Sequence, residues 1–219
     1  MNSKAVRDIL ELNNNFYQSV FEEFSRSRQA PWEGWDRAVE KAFKVIGKDI
    51  DEIKVLDLGC GNGRFYDFLS KKRKNIEYIG IDINNDLMKE GIKKFKNATF
   101  IQGDIFQELD KIKGKYNIVS AFGVTHHIPD YSFRNTWFSK LPNLLDKNGV
   151  LILTFWNFNN TPGDYFLGWK ERKDIKRYCH QYSNEEINEV TKMYKGKNLK
   201  LLDKFTSDKE NLYLLFGNI

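Results

Sequence analysis

The chain has 219 residues, 41% of them hydrophobic and 30% charged. That is enough to bury one sizeable core, and it excludes a disordered tail or a fibrous protein. Lys and Arg exceed Asp and Glu by 35 to 30, a formal charge of +5 that suits an anionic partner without demanding one. The two cysteines, Cys60 and Cys179, lie far apart, which argues against a disulfide scaffold or a zinc ribbon, so no metal is expected. Charge interrupts every apolar run well short of a bilayer span, and no secretory apolar stretch follows Met1. The expectation is a cytoplasmic protein with no membrane partner.

Residues 4–24 carry Val6, Ile9, Leu10, Phe16, Val20 and Phe24 at helical spacing, and 35–46 reads as a second helix after Pro31. Residues 1–50 are thus a helical extension of a single domain spanning 1–219. A β-rich run at 53–58 ends in a glycine cluster and is followed by a helix at 64–71. A strand at 76–81, a helix at 86–95 and a strand at 99–102 continue the alternation. Strands at 117–122 and 150–155 flank a helix at 134–145. This order predicts an α/β, Rossmann-like fold with a mostly parallel sheet and helices on both faces. A helix at 185–193 and a terminal hairpin of 199–205 and 212–216 bring the sheet to seven strands. Residues 157–181 follow neither period; they read as an insertion over the carboxyl ends of the strands, where ligands bind, and so as a lid.

The strongest local signal is Val55-Leu56-Asp57-Leu58-Gly59-Cys60-Gly61-Asn62-Gly63, a buried strand running through three glycines into a helix. Glycines let the backbone turn sharply and approach a ligand closely. The next strand ends in Ile81-Asp82, which brings a carboxylate to the neighbouring strand tip, where it can accept both hydroxyl protons of a ribose. The dinucleotide pattern G-x-G-x-x-G would need its third glycine at Arg64. The spacing G-x-G-x-G after Asp57 instead resembles the class I S-adenosylmethionine-dependent methyltransferases. The resemblance implies S-adenosylmethionine as cofactor, held by Asp57, Gly59, Gly61, Gly63 and Asp82. It also implies Asp104 beside the adenine amino group, Ile83 and Ile105 against the ring, and Tyr17 and Ala121 completing the donor set.

Strand four runs out through Phe122-Gly123-Val124-Thr125-His126-His127, the segment that lines the reaction centre in that class. Further motifs are Tyr17 to Phe24, Arg28-Gln29-Ala30-Pro31-Trp32, Arg177-Tyr178-Cys179-His180 and Asp208-Lys209-Glu210-Asn211-Leu212-Tyr213. Together they resemble the enzymes that methyl-esterify 5-carboxymethyluridine at the tRNA wobble position. That resemblance implies tRNA as partner and, as in eukaryotic members, a small zinc-binding activator subunit.

A carboxylate acceptor is deprotonated at neutral pH and needs no general base; it needs cations that hold it in line with the methyl group. Arg28, His126 and Arg177 are the candidates for that grip, with His180 and His127 behind them. An amine or hydroxyl acceptor would need a base, which His126 could supply. The stretch from Tyr165 to Tyr178 interleaves aromatics with cations, which suits unstacked RNA bases and equally a solvated surface over packed rings. The run Lys71-Lys72-Arg73-Lys74 reads as a solvated helix end. Two other functions stay open: methylation of a small-molecule acceptor, and an inactive donor-binding scaffold or subunit.

Overall fold

The computed structural model describes residues 1, 3–107, 109–170 and 172–219; Asn2, Glu108 and Glu171, the last within the aromatic and cationic stretch, lie outside the described residues. The helical extension forms as its spacing predicts, as α1 (Ser3–Ser27) and α2 (Gly34–Ile46). The alternating region follows as β1 (Ile53–Leu58), α3 (Arg64–Lys72), β2 (Ile76–Asp82), α4 (Asn85–Lys94), β3 (Ala98–Gln102), β4 (Tyr116–Ala121), α5 (Tyr131–Lys140) and β5 (Leu145–Trp156). The chain ends with α6 (Asn184–Gly196), β8 (Lys200–Ser207) and β9 (Asn211–Gly217).

Seven strands make one sheet in the order β3-β2-β1-β4-β5-β9-β8, parallel except that β9 runs antiparallel to both β5 and β8. β4 is buried along its whole length and β1 at all positions but one, the pattern of strands covered on both faces. One face packs on α2 and α3 through Trp35, Phe65 and Tyr78. The other packs on α5 and α6 through Trp137, Phe138 and Tyr194. The strand order reverses between β1 and β4, so a crevice opens beyond their carboxyl ends.

Two stretches depart from the sequence reading. Residues 157–181 are not irregular: β6 (Gly163–Trp169) and β7 (Arg172–Gln181) form a separate antiparallel hairpin with Tyr165 opposite Cys179 and Phe166 opposite Tyr178. Strand character is hidden, because Phe166 of the alternating β6 faces solvent, while β7 ends in five consecutive buried residues that include the polar Arg177, His180 and Gln181. The helix expected over 134–145 ends at Lys140 and tightens to a 3-10 turn containing Pro142, and β5 begins at Leu145, five residues before the expected start at 150. The hairpin packs on α1 through β7, so the cover over the crevice combines the first helix of the chain with residues 163–181.

The cation run at 71–74 is engaged as a helix end: Lys71 pairs with Asp67 at 2.5 Å, Lys72 with Asp36 at 2.5 Å, and Arg73 donates to the Ile50 carbonyl.

Candidate active site

The loop between β1 and α3 is built from left-handed glycines. A Cβ on Gly63 would meet the Phe100 ring at 2.7 Å, whereas one on Gly61 would project into open space with nothing within 4 Å. Gly63 therefore serves close packing of helix on sheet, and Gly61 presents bare backbone to a ligand. The loop is pinned by Asp82, whose Oδ2 accepts from the Gly61 amide and Oδ1 from the Asn84 amide, both at 2.9 Å. A carboxylate has about four acceptor positions, so Asp82 retains capacity for a ribose. Burial pushes its pKa up. Below it, Asp57 accepts from the Tyr78 and Ser120 hydroxyls, each at 2.7 Å, while burial pushes it up to about 6.

These groups border a cavity of about 670 Å³. Of the candidate residues, Tyr17, Arg28, Asp57, Gly59, Gly61, Asp82, Ile83, Asp104, Ile105, His126 and Arg177 line it. Three candidates do not. Gly63 lies behind the loop against Phe100. Ala121 is buried in the sheet, and its carbonyl accepts from the Thr154 hydroxyl at 3.4 Å. His180, proposed as a catalytic cation, is 5% exposed and spent on structure: Nδ1 meets Asp164 at 2.7 Å and Nε2 meets Glu186 at 3.0 Å. Glu186 also pairs with Arg134 at 3.1 Å and closes the capping box of α6 with Ser183. Asp104 lines the cavity while also ordering its own turn, accepting from the Phe106 amide at 2.9 Å and the Gln107 side chain at 2.6 Å.

The two adjacent histidines have separate fates. His127 uses both nitrogens: Nδ1 donates to the Tyr178 carbonyl at 2.9 Å, which leaves Nε2 to accept from the Tyr17 hydroxyl at 2.7 Å. Burial lowers His127 to about 3 and raises Tyr17 to about 12, so a neutral ring accepts from an intact phenol. His126 is 6% exposed and its Nδ1 has no partner. Burial, then its coupling to the adjacent His127 and the charge of Arg177, hold it well below its usual value.

Arg177 is also 6% exposed, and its Nε and Nη1 have no hydrogen-bond partner. Its guanidinium lies 4.9 Å from the Phe16 ring and 5.8 Å from the Trp156 ring. Arg28 stacks 5.1 Å from Phe24, and burial together with the nearby Arg177 charge lowers its pKa. A third cation was missed in the sequence: Arg64, immediately after the glycine loop, lines the cavity over Trp32 and Trp35, lowered to about 10 mainly by burial. Its position next to Gly63 was the available signal. Asn13 was missed as well; its side chain bonds both the amide and the carbonyl of Tyr178, at 2.7 and 3.3 Å.

The ligand atoms of His126, His127 and Cys179 lie within 4.8 Å of one another, a cluster that no sequence spacing announced. Both His127 nitrogens are already bonded, burial pushes the Cys179 thiol up to about 11, and Arg177 acts on that thiol with its charge. The cluster suits an anion nearby better than a cation within it.

The family described as a methyltransferase domain matches residues 49–213. A putative methyltransferase of Encephalitozoon cuniculi is 27% identical over 189 residues, covering 81% of this chain and 83% of that one. A trans-aconitate 2-methyltransferase of Afipia carboxidovorans is 26% identical over 100 residues, covering 46% of this chain and 37% of that enzyme. An S-adenosylmethionine-dependent methyltransferase from Clostridium acetobutylicum superposes with a TM-score of 0.65 at 20% identity, covering 93% of this chain and 98% of its own, a likeness of fold.

Proposed function

The chain belongs to the family described as a methyltransferase domain, and we propose that it uses S-adenosylmethionine to methylate a carboxylate oxygen of its acceptor, forming a methyl ester. The donor half of the cavity fits the cofactor: Gly61 leaves backbone bare toward open space, and Asp82 keeps lone pairs free at the adjacent strand tip. When bound, S-adenosylmethionine supplies an electrophilic methyl group on a positively charged sulfur. Asp82 would hold the ribose, with Ile83, Ile105 and Asp104 around the adenine.

The observation that carries the acceptor class is Arg177, a buried guanidinium with two unpartnered nitrogens on a side chain that lines the same cavity as Arg28. A buried cation beside a second, half-buried one is costly unless an anion joins them. Guanidinium forks match a carboxylate in geometry, and stacking on Phe16, Phe24 and Trp156 fixes their planes before the acceptor arrives. A carboxylate attacks with a lone pair it already has, so no proton needs to leave. That agrees with His126, whose depressed pKa makes it a poor general base. An apolar, partly closed site also favours a step in which opposite charges are neutralised.

The nucleoside form of this reading is the carboxymethyl group of a tRNA wobble uridine, supported by the motif resemblance and by the cations of the β6–β7 hairpin. A free acid is the second form, favoured by the limited cavity volume of about 670 Å³ and by the alignment with the trans-aconitate enzyme. The test offers labelled S-adenosylmethionine with bulk tRNA and, separately, with free acids including trans-aconitate. Alkali-labile label in ribonuclease-sensitive material supports the first form, and alkali-labile label in a free acid supports the second. Transfer only to amines or hydroxyls would contradict ester formation.

A further inference from the structure

Among the described residues, eight buried side-chain nitrogen or oxygen atoms have no hydrogen-bond partner. Half of them belong to three neighbours: Nδ1 of His126, Nε and Nη1 of Arg177, and Nε1 of Trp169. Buried polar atoms are normally paired, and each exception asks for an explanation. Four in one place ask for a shared one.

Trp169 is the last residue of β6, at the tip of the hairpin, and its ring lies over both cations, 5.6 Å from the Arg177 guanidinium and 5.6 Å from that of Arg28. It also leans on Phe24, with ring centroids 5.3 Å apart. Trp156 joins the same group, 5.8 Å from Arg177 and 5.3 Å from the His126 ring. Aromatic faces attract a cation's charge but leave its N–H groups unsatisfied. Among the described residues, neither Arg28 nor Arg177 takes part in an ion pair with a carboxylate. The group therefore has positive charge, in-plane N–H donors and apolar walls. It lacks oxygen lone pairs.

We infer that Trp169 is an acceptor-specificity residue, its indole N–H joining Arg177 and Arg28 as a donor to one carboxylate of the acceptor. This rests on the ester-forming reading above for which carboxylate is bound. An indole N–H can only donate, so Trp169 favours a group that accepts at every exposed atom and disfavours a carboxamide, whose NH₂ would meet it donor to donor. Trp169 reaches the two guanidinium groups from the hairpin tip, outside the residues that line the cavity itself.

A carboxylate could come from two sources here, the acceptor or the methionine end of the cofactor, and one experiment separates them. The protein carries five tryptophans, so its ¹⁵N-labelled form gives five indole N–H resonances, with that of Trp169 assigned by its loss in Trp169→Phe. The protein is titrated with acetate, and with acetamide as the neutral control, before and after saturation with S-adenosylhomocysteine. The expected result is a saturable downfield shift of the Trp169 resonance with acetate in both states and none with acetamide. In Arg177→Met the acetate response is lost, while the indole signals of Trp32, Trp35 and Trp137, which do not contact Arg177, stay in place and report an intact fold.

A resonance that acetate leaves unmoved overturns the proposal. So does one shifted by S-adenosylhomocysteine alone with no further response to acetate, which would give the anion site to the cofactor. An alkali-stable methylated product together with an intact acetate response would end esterification and keep this anion site. The reverse would keep esterification and remove Trp169 from it.

Discussion

The Tyr17 hydroxyl donates to Nε2 of His127 at 2.7 Å across 110 residues of chain. The same imidazole donates onward to the Tyr178 carbonyl at 2.9 Å, and Asn13 takes the Tyr178 amide at 2.7 Å. One neutral ring thus joins α1, the loop after β4 and the strand β7 that carries Arg177. The position of Arg177 over the cavity depends on this brace.

Tyr17→Phe removes the donor and leaves a buried nitrogen without a partner, which costs about 1–3 kcal/mol. Chemical denaturation is expected to show a lower midpoint with an unchanged slope. A midpoint equal to that of the parent protein would mean that the bond carries no stability.

Acid should destabilise the fold through the histidine pair. Burial holds His127 down to about 3 and His126 well below its usual value, whereas in the unfolded chain both titrate near 6.5. Below that point the unfolded state binds protons the folded state refuses. Their contribution is complete above pH 6.5 and falls as pH drops toward 3, by up to about 1.4 kcal/mol per pH unit for each ring. Denaturation midpoints measured from pH 7 to pH 4 should decline, and His127→Gln should make the decline shallower. Because Asp57 and Asp82 are pushed up and act in the opposite sense over the same range, the comparison decides: a pH dependence in His127→Gln equal to that of the parent protein would contradict the neutral assignment.

Asp82 has two tasks, holding the Gly61 and Asn84 amides and, in this account, the ribose of the cofactor. Asp82→Asn keeps the size of the side chain and part of its accepting capacity while removing the charge. Calorimetry is expected to show S-adenosylmethionine binding weakened by roughly tenfold or more, in line with loss of a charge-assisted hydrogen bond. Unchanged affinity would take Asp82 out of that role.

Arg28→Ala removes one of the two cations assigned to the acceptor. Turnover should fall by roughly tenfold or more, while calorimetric affinity for S-adenosylmethionine stays within about twofold, since the donor contacts assigned to Asp82 and Gly61 are untouched. A fall in cofactor affinity matching the fall in turnover would move Arg28 to the donor side.

Much of the scaffold was legible because it is written locally. The glycines at 59, 61 and 63 and the carboxylate of Asp82 follow from strand and turn chemistry in consecutive residues, and their elements fall within a residue or so of where periodicity puts them. The β6–β7 hairpin was hidden, because Arg177, His180 and Gln181 lie in an unbroken run of buried residues, 177–181, with no apolar-polar alternation to mark a strand. Which histidine was free could not be read locally either. His126 and His127 differ only in what lies opposite, and Tyr17 and Tyr178 reach His127 from distant segments. His180 sits in a motif next to Arg177, yet strand alternation turns it away from the cavity toward Asp164 and Glu186. Trp169 gave no signal, since its significance lies in a missing hydrogen bond.

The most direct test of ester formation is the alkali lability of the transferred methyl group. Protein, S-adenosylmethionine labelled in its methyl group and bulk tRNA or a carboxylic acid are incubated, the product is freed of cofactor, and mild alkali is applied. The label is expected to leave as volatile methanol, because an ester of the carboxylate held by Arg28 and Arg177 hydrolyses under those conditions. Label that stays on the acceptor through alkali would place the methyl group on nitrogen, carbon or an ether oxygen and would contradict it.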